Sequence, residues 1–138
     1  MIAHMHTRTT PDAPRVIVVE DNVPSLHAVS DFLSHSGFDV LKARSATEAM
    51  ANLDGNRCHA LLLDLHLPDG PGTELVRTVR DHPDPHVSHM VIALLTASPL
   101  ESDRESCLKA GADIFLTKPV RLRDIARLLR GYIRSRFP

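Results

Sequence analysis

The chain has 138 residues, enough for one domain with a buried core and too few for two ordinary ones. A formal charge of −1, an ordinary apolar content and no apolar run of membrane-spanning length argue against a nucleic-acid or membrane partner. Cys58 and Cys107 are too few for a disulfide framework and fit a reducing compartment, with the cytoplasm as the default.

Met1 to Pro14 is polar and lacks the apolar segment of a signal peptide, so residues 1–14 are expected to be a flexible leader outside the fold. The β-branched run Arg15-Val16-Ile17-Val18-Val19 predicts a first buried strand, ending in Glu20-Asp21-Asn22. Two adjacent carboxylates there either cap the next helix or share a bridging cation, and these residues alone do not choose. Pro24 to Ser36 reads as a helix with Leu26, Val29, Phe32 and Leu33 on one face, stopped at Gly37. Phe38 to Ala43 alternates, as a strand nearer an edge should. Ser45 and Glu48 form a capping box, and Ala46, Ala49, Met50 and Leu53 face inward until Asp54-Gly55 ends that helix.

The run Ala60-Leu61-Leu62-Leu63 predicts a strand buried on both faces, and it delivers Asp64 to the carboxyl edge, where open α/β folds keep their chemistry. Pro68-Asp69-Gly70 then forces a turn, and Gly72 to Arg80 makes a third helix through Leu75, Val76 and Val79. Asp81 to His89 reads as a solvated loop; His82, His86 and His89 are too irregularly spaced, and too broken by proline, for a zinc site. Met90 to Leu95 is a second doubly buried run, bringing Thr96-Ala97-Ser98 to the same edge. Ser98-Pro99-Leu100-Glu101 reads as another capping box, opening a helix that runs to Ala110 and closes at Gly111. Ile114-Phe115-Leu116 is the last strand, followed by Thr117-Lys118-Pro119. The last helix, from Arg121 to about Arg136, buries Leu122, Ile125, Ala126, Leu129 and Ile133. Its arginines outnumber Asp124, the one acid, and read as a solvated face whose stems cover apolar surface.

Five βα units with short connections predict an α/β fold, a parallel sheet sandwiched between helices. The strand ends then gather Glu20, Asp21, Asp64, Thr96 and Lys118 at one edge. So many carboxylates call for a hard cation, and oxygen-rich sites favour Mg²⁺. A lysine and a hydroxyl at the rim suit a phosphoryl group, and a carboxylate can accept one when position and charge are supplied.

The matching segments are Val19-Glu20-Asp21-Asn22, Asp64 through Gly72, Leu95-Thr96-Ala97 and Ala110 through Pro119. Through them the chain resembles, over Arg15 to Arg134, the receiver domain of two-component response regulators. The resemblance implies a flavodoxin-like (βα)5 fold with sheet order 2-1-3-4-5 and phosphorylation of Asp64 by a phosphohistidine donor, a sensor histidine kinase or a histidine-phosphotransfer domain. It implies that Asp21, Asp64 and the His66 backbone carbonyl ligate Mg²⁺, with Glu20 acting through a water. It implies phosphoryl contacts from Lys118 and the Ala97 N–H, a cis Lys118-Pro119 bond, and a switch pair of Thr96 and Phe115. The switched face would be the Pro99–Ala110 helix, the Ile114 strand and the last helix; dimerisation on phosphorylation is left open. His66 and Ser98 depart from the usual residues beside the acceptor and are expected to tune the phosphoryl lifetime.

A receiver of this kind catalyses only its own phosphorylation and dephosphorylation. The segment Asp103 to Gly111 resembles the hybrid-kinase style of receiver, over a single-domain regulator or part of a longer one. The alternative, a haloacid-dehalogenase-like phosphatase with Asp64 as nucleophile, normally carries a second acid where His66 stands. A nucleotide or flavin site is disfavoured because the first loop is acidic and lacks a glycine-rich cradle.

Overall fold

A computed structural model describes residues 13–138; the expected leader lies, up to residue 12, outside the described residues. Strands β1 (Arg15–Val19), β2 (Asp39–Ala43), β3 (Ala60–Leu63), β6 (Val91–Thr96) and β7 (Ile114–Thr117) form one parallel sheet in the order β2-β1-β3-β6-β7. Counting only the strands of this sheet, that is the expected order 2-1-3-4-5. Two further strands, β4 (His66–Leu67) and β5 (Gly70–Pro71), make a small antiparallel hairpin directly after Asp64. Helices α1 (Val23–His35) and α6 (Leu122–Arg136) cover one face of the sheet, and α2 (Ala46–Leu53), α3 (Gly72–Arg80) and α5 (Glu101–Ala110) the other.

Successive strand residues point to opposite faces, so the unbroken apolar runs feed two cores at once. Ile17, Val19, Leu61, Leu63, Ile92 and Leu94 pack toward α2, α3 and α5. Val16, Val18, Leu62, Ala93 and Leu95 pack toward α1 and α6, where they meet Leu26, Leu33, Ile125 and Leu129. The helices are not held equally. α6 buries Ile125, Ala126, Leu129 and Ile133, whereas α5 fully buries only Cys107.

Local chemistry adjusts three expectations. The segment after α3 is not all loop: Asp84 accepts the His86 N–H and, with Pro85 at the first position, starts the single turn α4 (Pro85–Ser88). Helix α5 starts at Glu101 without a side-chain cap: the Ser98 hydroxyl donates to the Asp103 carboxylate and its oxygen accepts the N–H of Leu100, one residue ahead of the helix. In the α2 box, Ser45 does accept the Glu48 N–H, but Glu48 reaches back to the N–H of Arg44 rather than that of Ser45. Gly37 and Gly111 do end α1 and α5, both at positive φ where other residues are strained.

The amino edge of the sheet is fastened by one carboxylate. Asp113 accepts from Arg80 at 2.9 Å, from the Ile92 N–H at 2.8 Å and from both terminal nitrogens of Arg136 at 3.0 and 2.8 Å. Arg80 also donates to the carbonyls of Gly111, Ser88 and Met90, so α3, α4, β6, β7 and α6 meet here. Burial works to raise the Asp113 carboxyl, but the Arg136 and Ile92 hydrogen bonds and the two guanidinium charges outweigh it and hold it low. A lowered folded value means that the stabilisation is complete above about pH 4, where the unfolded carboxylate ionises, and is lost as pH falls through the folded value. Asp113→Ala is expected to cost about 3 kcal/mol at pH 7, chiefly by leaving Arg80 half-buried and unpaired. Urea unfolding of both proteins at pH 7 and pH 3 checks this, with the difference shrinking at the lower pH.

Candidate functional site

Strand register decides which polar residues meet. Val19 pairs with Leu63 across β1 and β3, so Glu20 and Asp64 leave the sheet side by side. The Asp64 N–H extends that ladder to the Val19 carbonyl at 3.3 Å. Leu63 pairs with Leu94, and β6 continues two residues further to Thr96. Thr96 pairs with Thr117, and its carbonyl accepts the Lys118 N–H at 2.7 Å. The Lys118-Pro119 bond is cis, as expected.

The Lys118 ammonium stands between two carboxylates, 3.4 Å from Glu20 Oε1 and 3.5 Å from Asp64 Oδ2. Those side chains are only 12% and 18% exposed, a depth at which two bare like charges repel strongly and an intervening cation offsets the repulsion. Each carboxylate also takes a backbone donor: Glu20 from Asn22 at 3.1 Å, and Asp64 from His66 at 3.3 Å. Asn22 settles the helix-cap question left open by the sequence, since its own side chain caps α1 by accepting the Ser25 N–H. Asp21 is exposed beside Glu20, so the edge keeps an excess of negative charge.

Among the described residues, no three His, Cys, Asp or Glu side chains converge as a ready-made metal cage. Mg²⁺ does not need one: it binds through one or two carboxylates and keeps several waters. Glu20, Asp21, Asp64 and the His66 carbonyl at this edge are all hard oxygen donors, the chemistry this ion takes.

Thr96 is buried, and its hydroxyl accepts the Ser98 N–H at 3.3 Å. Ala97 between them is exposed, as is His66. Phe115 lies opposite Leu94 and is half-buried against the α2–α3–α5 core. The thiols offer no competing nucleophile, since burial pushes Cys58 and Cys107 each up to about 11.

Three features escape sequence reasoning. Asp103 is the partner of Ser98. Asp69 reaches the amino end of α2, more than twenty residues away in the chain. A cleft of about 350 Å³ beside Asp64 and Lys118 is walled by Ala28 and Val29 of α1 and by Val120, Leu122 and Ile125. Pro-Asp-Gly signals a turn but not the target of its carboxylate, and a cleft between two helices has no linear signature at all.

A family model described as the response regulator receiver domain matches residues 16–130. The transcriptional regulatory protein TrcR of Mycobacterium tuberculosis is 36% identical over 120 residues, covering 87% of this chain but 45% of that protein. The chain therefore spans less than half of that relative. The polar-differentiation response regulator DivK of Brucella anthropi is 25% identical over 118 residues, 86% of this chain and 94% of the relative. The crystal structure of a CheY-like response regulator receiver domain protein from Methanospirillum hungatei matches with a TM-score of 0.83 at 26% identity, covering 91% of this chain and 97% of that one.

Proposed function

This chain belongs to the response regulator receiver domain family, the phosphoacceptors of two-component signalling, and from that premise we propose that Asp64 is the residue that accepts the phosphoryl group. The observation that carries the assignment is the Lys118 ammonium held between Glu20 and Asp64 at the ends of β1, β3 and β7. The haloacid-dehalogenase reading finds no support in the comparisons.

Asp64 Oδ attacks the phosphorus of a phosphohistidine. The P–N bond breaks as the P–O bond forms, and the imidazole leaves with the electron pair and takes a proton from solvent. Asp21, Asp64 and the His66 carbonyl, with Glu20 through a water, would hold Mg²⁺, which when bound would supply positive charge to the transferring oxygens. Lys118 turns from the carboxylates to those oxygens, and the Ala97 N–H donates to a third position. The product carries about two negative charges. Thr96 then moves its hydroxyl toward the phosphoryl group and gives up the Ser98 N–H, while Phe115 turns inward behind it. The face of α5, β7 and α6 changes in consequence. Hydrolysis of the aspartyl phosphate by water, which returns the Asp64 carboxylate and releases inorganic phosphate, is the other reaction we assign to the chain.

Members of the family interact with histidine kinases or phosphotransfer proteins. For this chain we place the donor on α1, where Ser25, His27 and Ala28 lie outside the core-facing row. The cleft between α1 and α6 runs from there to Asp64. A histidine-phosphotransfer partner and a hybrid-kinase setting belong to this reading, and so does a cytoplasmic location, which two unpaired protonated thiols support. No helix among the described residues is long and apolar enough to cross a membrane. Residues 15–136 would be the receiver unit.

Acetyl phosphate with Mg²⁺ should give stoichiometric, acid-labile phosphate on the native chain and none on Asp64→Asn. Lys118→Ala should slow labelling about a hundredfold, the usual effect of losing one electrostatic partner of a transferring group. Multiple turnover on a phosphoester, or labelling that survives Asp64→Asn, sinks the assignment. His66 beside the acceptor should set the lifetime: His66→Asn is expected to shorten the phosphate half-life in Mg²⁺ buffer, and an unchanged half-life removes His66 from that role.

A further inference from the structure

The hairpin β4–β5 follows the acceptor immediately and carries the His66 carbonyl. It has only two residues on each strand, and Pro68-Asp69 make its tip. A strand pair this short has little stability of its own, so something outside it must hold its shape. At the base, buried Leu65 and Leu67 anchor it, and Gly72 returns the chain tightly against the acceptor. A Cβ at Gly72 would lie 2.5 Å from the Asp64 carbonyl oxygen, so only glycine allows the chain to return this close to the acceptor.

The tip is held differently. Asp69 Oδ1 accepts the Ala46 N–H at 2.9 Å, and Oδ2 accepts the Thr47 N–H at 2.9 Å and the Thr47 hydroxyl at 2.7 Å. With Ser45 taking the Glu48 N–H, every donor of the first turn of α2 is satisfied, two of them from another element. The bonds span a groove of about 380 Å³ between α2 and α3, lined in part by Met50, Leu75 and Thr78. The Thr47 hydroxyl and the two N–H groups hold the Asp69 carboxyl down at about 2, so the clasp is ionised at every working pH.

We propose that Asp69 is a positioning residue for metal binding: by clasping the amino end of α2 it fixes the hairpin that presents the His66 carbonyl beside Asp64. The inference rests on the reading of Asp64 and His66 given above. Mg²⁺ tolerates little departure from octahedral geometry, so a carbonyl that wanders by a fraction of an ångström is a poor ligand. Losing the clasp therefore weakens the metal step and leaves phosphoryl chemistry largely intact once the ion is bound.

The test is a Mg²⁺ titration of native protein, Asp69→Ala, Asp69→Asn and Thr47→Val, read in two ways: amide NMR shifts of residues 64–66 with no phosphodonor, and the initial rate of labelling by acetyl phosphate. Asp69→Ala should raise the half-saturating Mg²⁺ about fivefold or more in both readouts, with the rate at saturating Mg²⁺ within about twofold of native, the clasp being several hydrogen bonds to a charged group. Thr47→Val, which removes one bond of three, should shift it about twofold, and Asp69→Asn should fall between. An Asp69→Ala midpoint equal to native, or a rate loss that saturating Mg²⁺ does not restore, overturns the proposal. If the native protein itself shows no Mg²⁺-dependent labelling, the acceptor assignment fails instead. Should Asp69→Ala not fold, Thr47→Val and Asp69→Asn decide by the same midpoints.

Discussion

One ammonium between two carboxylates governs this molecule's working edge. A parallel sheet with both faces buried must end its strands in polar residues, and here two adjacent strands end in acids. Held side by side at 12% and 18% exposure, they would repel if left alone. Lys118 comes from the far side of the sheet, at the end of β7, to stand between them. The interaction is well suited to be exchanged. An ammonium on a flexible stem at 3.4 to 3.5 Å is a loose partner for either carboxylate.

The elements around that edge differ in how firmly they are held. The opposite edge is locked by Asp113 and its two arginines, and α6 adds four buried side chains. α5 has one buried side chain, an uncapped start and a tie through Ser98 to Asp103. Thr96 hangs on the same segment, since its hydroxyl takes the Ser98 N–H. An element with few buried contacts next to a side chain with an alternative partner is where a small charge change can be amplified. On the other side, Asp69 ties the tip of the β4–β5 hairpin to the start of α2.

Local sequence rules worked where a single residue type has one dominant use and failed where it has several. Gly37 and Gly111 stop helices because little else tolerates their φ. Ser98 looked like a helix cap because Pro follows it and Glu stands three residues on. In the fold its hydroxyl donates to the charged carboxylate of Asp103, while its oxygen accepts the Leu100 N–H just ahead of the helix instead of a first-turn N–H. Asn22, which follows two acids, takes the capping role that a neighbouring carboxylate could equally have filled, which frees Glu20 for Lys118. The turn at Asp84 shows the same ambiguity, a Pro-rich stretch serving as helix start instead of loop.

The amino-acid sequence by itself determined the five βα units and the set of polar residues at the carboxyl edge, while the sheet order came from the family resemblance its motifs carry. Apolar periodicity and strand-end position are one-dimensional properties, and right-handed crossovers leave few ways to assemble them. Only the tertiary structure decided which of those residues touch. The pairing of Lys118 with Glu20 and Asp64, of Ser98 with Asp103, and of Asp69 with the start of α2 depends on ångström-scale register between elements. A side chain with several acceptable partners chooses among them by distance, and distance across the chain is set only when the whole core has packed.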